Sequence, residues 1–362
     1  MEESFINQIE DEDVGKPMKE PFDPNKIKVR TQTITIEGIV ERIRHNEIDL
    51  STKFQRKEGL WSDEQQSRLI ESVLIRFPLP VFYFDGSDPN KWQVIDGLQR
   101  LTSLKRFMVT KELKLTGLEF LKLEVSWDDL DRPSQRQIKE TQLQCYVLEE
   151  GTENDVKFNM FKRINTGGLV LSSQEIRHAM HQDGAAEFVK ELADSKEFKK
   201  ATQNKINPDR MLDRDFVNRF LAFYLFDHET NYTYNDDLDS FMNKSLTEIA
   251  SMNSNKKNEI GNNFKQAMLL AVNVFGDAAF CKKKDYKRIN KALFEVVSVS
   301  FAKLNEEQRS KLIKGKTSFK NLLFKSIDSN FKDSLSSNTG GKSNIALRHS
   351  EFDKVVKQIL NE

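Results

Sequence analysis

The run KWQVIDGLQRLTSLKRF at residues 91–107 constrains this chain more than any other stretch. Trp92, Val94 and Ile95 read as a buried strand. Asp96 and Gly97 make a sharp turn, and Leu101, Leu104, Phe107 and Met108 then fall on one face of a helix. Just upstream, the apolar residues 81–84 (VFYF) read as a second buried strand. The six residues 85–90 (DGSDPN) between them are dense in turn formers. Two strands joined by a short polar loop predict a hairpin, and the hairpin leads directly into a helix.

The same patterning extends outward. Residues 33–36 (TITI) alternate as a short strand does, and Ile39, Val40 and Ile43 mark a helix after it. Ser62, with Gln65 three residues on, has the spacing of a capping box. It opens a helix over 63–77 that buries Leu69, Ile70, Val73, Leu74 and Phe77 and ends before Pro78. Residues 143–148 read as a strand and 153–165 as a helix stopped by Gly167 and Gly168. Ser172 and Glu175 repeat the capping-box spacing, with Leu171 and Ile176 placed as a hydrophobic staple. From 184 onward helical spacing dominates. Residues 251–258 read as a loop, and 334–344 as a flexible linker before a short terminal helix. The expected class is α+β. A mixed N-terminal half over 28–183 follows an acidic, proline-punctuated arm over 1–27. Helices fill 184–333, and linker and helix fill 334–362.

Formal charge is balanced at +0, but unevenly spread. Residues 1–25 carry eight acids against two lysines, whereas 281–330 carry thirteen Lys and Arg against five acids. The basic end leaves room for an anionic partner, and Lys282, Lys283 and Lys284 are its candidate DNA contacts; the alternative is a solvated helical face. Cys145 and Cys281 are the only cysteines and have no paired spacing. That excludes a disulfide framework, argues against zinc and fits the reducing cytoplasm. No apolar run approaches the roughly 20 residues a membrane helix needs. The acidic start is no signal peptide. His178 and His181 stand three apart on one helix, but no Cys or acid is placed to complete a zinc site. Neither zinc nor haem is expected. No Walker-type phosphate loop is present.

The 95–100 run (IDGLQR) can carry chemistry. A turn at Asp96 and Gly97 leaves backbone N–H groups of Leu98 and Gln99 at a helix start, where an anion is favoured. Arg100 adds a planar fork suited to phosphate oxygens. Asp96 could hold a metal ion or orient a water. The plainer reading is a strand–turn–helix with Asp96 as an N-cap, because Asp-Gly turns are common. Gln55 and Arg56 stand in a polar loop before the 63–77 helix. On that helix Arg68, Ser72 and Arg76 share one face, either solvated or the wall of an anion pocket. Lys162 and Arg163 end the 153–165 helix, where cations are favoured in any case, and Asn165, Thr166 and Gly167 follow in a polar loop.

Taken in order, FQR…W at 54–61, SRLIESVLIRFPLPVFYF at 67–84, VIDGLQRLTSLKRF at 94–107 and FKRINTGGLVLSSQEIRHAM at 161–180 resemble a known family. RMLDRDFVNRFLAF at 210–223 and INKALFEVVSVSF at 289–301 extend the likeness. The family is the N-terminal domain of GmrSD-type modification-dependent restriction endonucleases. The resemblance implies a ParB/sulfiredoxin-like core around a DGQQR motif, in modules that hydrolyse nucleotides without a phosphate loop. Asp96, Gly97, Gln99 and Arg100 match that motif, while Leu98 stands where its first Gln would be. Arg56 and Asn165 match the FQR and NTGG positions. The resemblance implies Asp96, Gln99 and Arg100 as catalytic residues and an NTP with Mg²⁺ held at Asp96. The expected nucleotide contacts around that centre are Gln55, Arg56, Arg68, Ser72, Gly97, Leu98, Thr102, Lys162, Arg163, Asn165, Thr166 and Gly167. The HNH-type nuclease that follows this module in the restriction enzymes is not recognisable here, so nuclease activity of this chain alone is not expected. Expected partners are a nucleotide, DNA and a separately encoded effector nuclease, with no membrane and with a homo-oligomer left open. The rival reading is a DNA- or nucleotide-sensing module without turnover.

Overall fold

The computed structural model describes residues 9–14, 27–50, 61–121, 124–164, 171–181, 184–232, 237–283 and 288–361. The chain divides into two compact units, Phe22–Leu171 and Met1–Pro21 with Ser172–Glu362. Among the described residues the fold is mixed α+β, with one five-stranded sheet and a helical C-terminal region.

In the first unit, β1 (Val29–Thr35) runs into α1 (Ile36–Arg44), which Thr35 caps through the Gly38 N–H. The short β2 (Ile48–Asp49) follows, and α2 (Asp63–Leu74) opens at the expected Ser62–Gln65 capping box. Next come β3 (Phe82–Asp85), β4 (Trp92–Asp96), α3 (Leu98–Leu104), α4 (Arg132–Glu140), β5 (Gln142–Leu148) and α5 (Asn154–Ile164). Helix α3 continues as a π-helical turn, Lys105–Val109. The sheet order is β1-β5-β3-β4-β2. The β1/β5 and β3/β4 pairs are antiparallel, whereas β3/β5 and β2/β4 are parallel. The expected hairpin is therefore the antiparallel β3/β4 pair. Its register shifts between Tyr83 and Phe84. Ile36, Ile39, Val40, Ile70, Val73, Phe82, Phe84, Leu101, Leu104 and Phe107 share one apolar core.

Helix α2 stops at Leu74, three residues before the expected end at 77. Arg76 takes the left-handed conformation at φ 64°. Its N–H bonds the Val73 carbonyl at 3.1 Å, and the Phe77 N–H bonds the Ser72 carbonyl at 2.8 Å. That is a Schellman closure, and it takes Arg76 off the helical face expected to hold it with Arg68 and Ser72.

The second unit is helical. It comprises α6 (Ser173–Met180), α7 (Ala185–Asp194), α8 (Lys196–Ala201), α9 (Leu212–Leu225), α10 (His228–Asn231), α11 (Leu238–Ser251), α12 (Ser254–Phe275), α13 (Lys291–Ala302), α14 (Glu306–Lys314), α15 (Lys316–Ser326) and α16 (Lys342–Asn361). Ser172 and Glu175 form the second capping box. Phenylalanines fill the centre. Phe294 meets Phe198, Phe216 and Phe280 at ring separations of 6.0, 5.1 and 4.7 Å, all edge-on. Such pairs satisfy the ring quadrupole with no polar partner.

Two sequence expectations fail here. Most of 251–258 is not a loop, because α12 begins at Ser254 with Asn253 capping the Lys256 N–H. Residues 334–344 are not a free linker. A 3₁₀ turn covers Asp333–Leu335, α16 starts at Lys342, and buried Arg348 donates to the Thr339 carbonyl at 2.7 Å.

Candidate functional site

The centre of the expected site is the step from β4 to α3. Gly97 occupies the N-cap position at φ 103°, in the left-handed region, with no side-chain cap. Asp96 is thus not the N-cap of the plainer sequence reading. A Cβ built on Gly97 would lie 2.5 Å from the Phe82 ring, so glycine is required both for its dihedral and for its lack of a side chain.

Arg100 decides what the turn looks like. Its side chain is only 10% exposed. One terminal nitrogen donates to the Pro80 carbonyl. The other donates to the Val81 carbonyl at 3.2 Å and to Asp96 Oδ2 at 2.7 Å. The guanidinium also stacks over Phe82, 4.3 Å from the ring centroid. Burial pulls its pKa down and Asp96 opposes that; an arginine stays cationic throughout. The expected outward fork for phosphate is therefore turned inward. It ties the end of β4 to the segment leading into β3, and it holds Asp96. Asp96 keeps 39% of its side chain exposed, so it presents a carboxylate at the surface on a rigid support.

Gln99 also has a structural neighbour. Its Oε1 accepts the Trp61 N–H at 3.2 Å, while Gln66 Nε2 donates to the Trp61 carbonyl at 2.8 Å. Arg106, on the π-helical turn, holds Gln66 at 3.0 Å and Asp63 at 2.7 Å. Two glutamines thus pin the chain at Trp61, just after the FQR motif. Gln55 and Arg56 of that motif, and Asn165, Thr166 and Gly167, lie outside the described residues.

The remaining expected contacts are scattered. Leu98 is buried in the core. Thr102 lies half-buried on α3. Arg68 is exposed and pairs with Glu119 at 3.1 Å and with the Gly117 carbonyl at 3.3 Å. Ser72 turns its hydroxyl back to the Arg68 carbonyl at 2.8 Å. Lys162 and Arg163 are exposed on the last turn of α5. Of the proposed DNA contacts, Lys282 pairs with Glu10 at 2.7 Å and with Ser336 at 2.9 Å. Lys283 is exposed, and Lys284 lies outside the described residues.

Reasoning from sequence missed Glu71. It is buried in α2, and its two oxygens accept the N–H groups of Glu119, Phe120 and Leu121 at 3.0, 2.7 and 2.7 Å. Burial would raise its pKa, but those three donors lower it on balance. A carboxylate inside the apolar stripe of α2 was the only available signal. Lys157 of α5 was missed as well; it binds Asp85 at 2.9 Å and Ser87 at 2.6 Å in a mostly buried pair.

Other chemistries find little here. Burial pushes both cysteine thiols up to about 11, so neither is a thiolate at neutral pH. Among the described residues no group of three or more His, Cys, Asp or Glu could hold a metal ion, and no helix is long and apolar enough to cross a membrane. Asp96 alone suits only an ion that brings its other ligands with it.

The fold and the turn define a mixed-sheet module whose Asp–Gly elbow is locked by a buried arginine. Residues 36–182 match the family model of the GmrSD restriction endonuclease, N-terminal domain, which bears out the resemblance over that stretch. That match supports a protein of a restriction or anti-phage system. A comparison with curated proteins finds no match.

Proposed function

We propose that the Phe22–Leu171 unit binds and hydrolyses a nucleotide within a restriction or anti-phage system, with the elbow at Asp96 as its centre. The observation that carries this reading is the half-exposed Asp96 carboxylate, fixed from behind by Arg100 and preceding a glycine that permits close approach. A nucleotide would bring Mg²⁺, which usually keeps several waters and takes one or two protein carboxylates; Asp96 is the donor for it. Asp96 orients the ion or the attacking water, Arg100 positions Asp96, and Gln99 holds the Trp61 segment beside the turn. Phosphoryl transfer needs little beyond such positioning and charge. The ParB/sulfiredoxin-like core implied by the family belongs to the same proposal.

Phosphate release by the purified chain tests it, with ATP, GTP, CTP and UTP each supplied with Mg²⁺. Asp96→Asn, which keeps a hydrogen-bonding partner for Arg100, is expected to lower turnover by about 100-fold or more. Equal, background-level release from both proteins sinks the reading. The inward Arg100 favours a second reading, in which the same elbow senses a nucleotide without turnover. A thermal shift with one nucleotide and no phosphate release selects that one.

A further inference from the structure

Residues 9–14 lie in a groove of the helical unit whose chemistry matches them closely. Ile9 makes a parallel bridge with Ile289, and the Glu10 N–H donates to the Ile289 carbonyl at 2.9 Å. The Thr339 and Gly340 N–H groups donate to the carbonyls of Asp13 and Val14 at 2.9 and 3.1 Å. Gly340 must be glycine, because a Cβ there would lie 2.7 Å from the Val14 carbonyl oxygen. The acids alternate as an extended strand requires. Glu10 meets Lys282 at 2.7 Å and Asn290 at 2.9 Å. Glu12 accepts from Arg219 and from Thr339 at 2.6 Å, with Lys291 at 3.9 Å. Asp13 accepts from Ser337 at 3.1 Å and the Asn338 N–H at 3.2 Å. Asp11, between the two inward acids, is exposed.

We infer that this groove is a recognition site for an extended acidic peptide, of pattern acid–x–acid–acid, and that residues 9–14 are its exchangeable intramolecular occupant. Three observations favour a peptide and favour exchange. Main-chain hydrogen bonds at residues 10, 13 and 14 read a polypeptide backbone, as strand addition does, and a phosphate backbone carries no N–H donor for the Ile289 carbonyl. Taking Glu10 and Glu12 away removes the ion pair of Lys282 and leaves Arg219 to Glu295 at 2.7 Å and Lys291 to Asp215 at 3.0 Å, so the emptied wall favours a new acidic strand. The seam is also incompletely satisfied: Arg219 Nη2 and Glu10 Oε1 are buried without a hydrogen-bond partner among the described residues. A half-satisfied polar seam adds less stability than a complete one, and residues 11, 13 and 14 remain exposed. Binding here is dominated by charge rather than apolar burial, so it weakens with salt.

The test uses the full-length chain carrying Glu10→Gln, Glu12→Gln and Asp13→Asn, and a fluorescein-labelled peptide of residues 5–16. Fluorescence anisotropy should show the triple variant binding the peptide at least about tenfold more tightly than wild type, whose own segment competes in cis. High salt, neutralisation of the peptide's three acids, or Lys291→Met in the receptor should each weaken binding about tenfold or more. Equal binding by wild type and a folded triple variant overturns the inference, as does equal binding of the neutralised peptide. Preferential binding of a DNA oligonucleotide over the peptide overturns the peptide assignment. If the triple variant does not fold, a wild-type chain with a protease site inserted after residue 18 is cut instead. Exchange of the cut segment for labelled peptide supports the inference, and failure to exchange while the chain stays folded refutes it.

Discussion

Gly97 shows how much one residue can fix. At φ 103°, with the Phe82 ring 2.5 Å from any added Cβ, alanine meets both backbone strain and a clash with a core aromatic. The Phe82 ring cannot retreat easily, because Arg100 covers it and it is fully buried. We expect Gly97→Ala to cost about 2–4 kcal/mol, read as a lowered urea midpoint. A cost below about 0.5 kcal/mol would show that the elbow relaxes freely. The neighbouring Arg100 marks where residue-level reading runs out. Its charge and its place in the motif were legible, but its direction was not. That direction is set by the carbonyls of Pro80 and Val81, about twenty positions upstream, which converge only when β3 and β4 pair. A cation at a turn reads as a phosphate ligand until the backbone oxygens behind it are known.

Among elements, α2 is the clearest case of sequence and fold agreeing at one end and parting at the other. Its N-terminus was legible because a capping box is local: Ser62 and Gln65 satisfy each other's backbone whatever surrounds them. Its C-terminus was not, because Pro78 suggested an end at 77 while Arg76 closes the helix from the left-handed region. A non-glycine residue pays strain there. Arg76→Gly should raise stability by about 0.5–1 kcal/mol, seen as a higher urea midpoint with an unchanged slope; a loss of stability would mean that the exposed arginine side chain contributes more than its backbone costs. Helix α12 and the 334–344 segment teach the complementary lesson. Polar, glycine- and asparagine-rich stretches read as loops, yet the first turns of α12 are polar because they face water. The 337–340 turn is held in place by residues more than 300 positions away. Composition reports exposure, and it does not report long-range pairing.

At the scale of the whole molecule, the buried charges of the helical unit predict a loss of stability in acid. Fully buried Glu295 accepts from Arg219 at 2.7 Å, from Arg348 at 2.8 Å and from His349 at 3.0 Å. Burial would raise the pKa values of Glu295, Asp215 and Glu12, but Arg348 and Arg219, Lys291 and Arg177, and Arg219 and Lys291 respectively outweigh it, so all three lie below the usual carboxylate range. Their stabilisation is fully present above that range and is lost as pH falls below it, through the lowered values. His228 acts earlier. Its imidazole stacks on His349 at 4.4 Å and is pushed down to about 4, first by burial and then by that neighbour. Unfolding returns it to roughly 6.5. Between the two values the unfolded chain takes a proton that the folded chain refuses, so stability falls as pH drops across that window. Discounted for its partial exposure, the effect between pH 7 and pH 5 is about 1 kcal/mol. Urea midpoints at those two pH values should therefore differ for wild type and differ less for His228→Gln, which cannot titrate. Identical pH dependence in the two proteins would assign the acid sensitivity to the buried carboxylates alone. In that case the loss would be confined to acid below the usual carboxylate range, where the lowered carboxyls of Glu295, Asp215 and Glu12 take up protons.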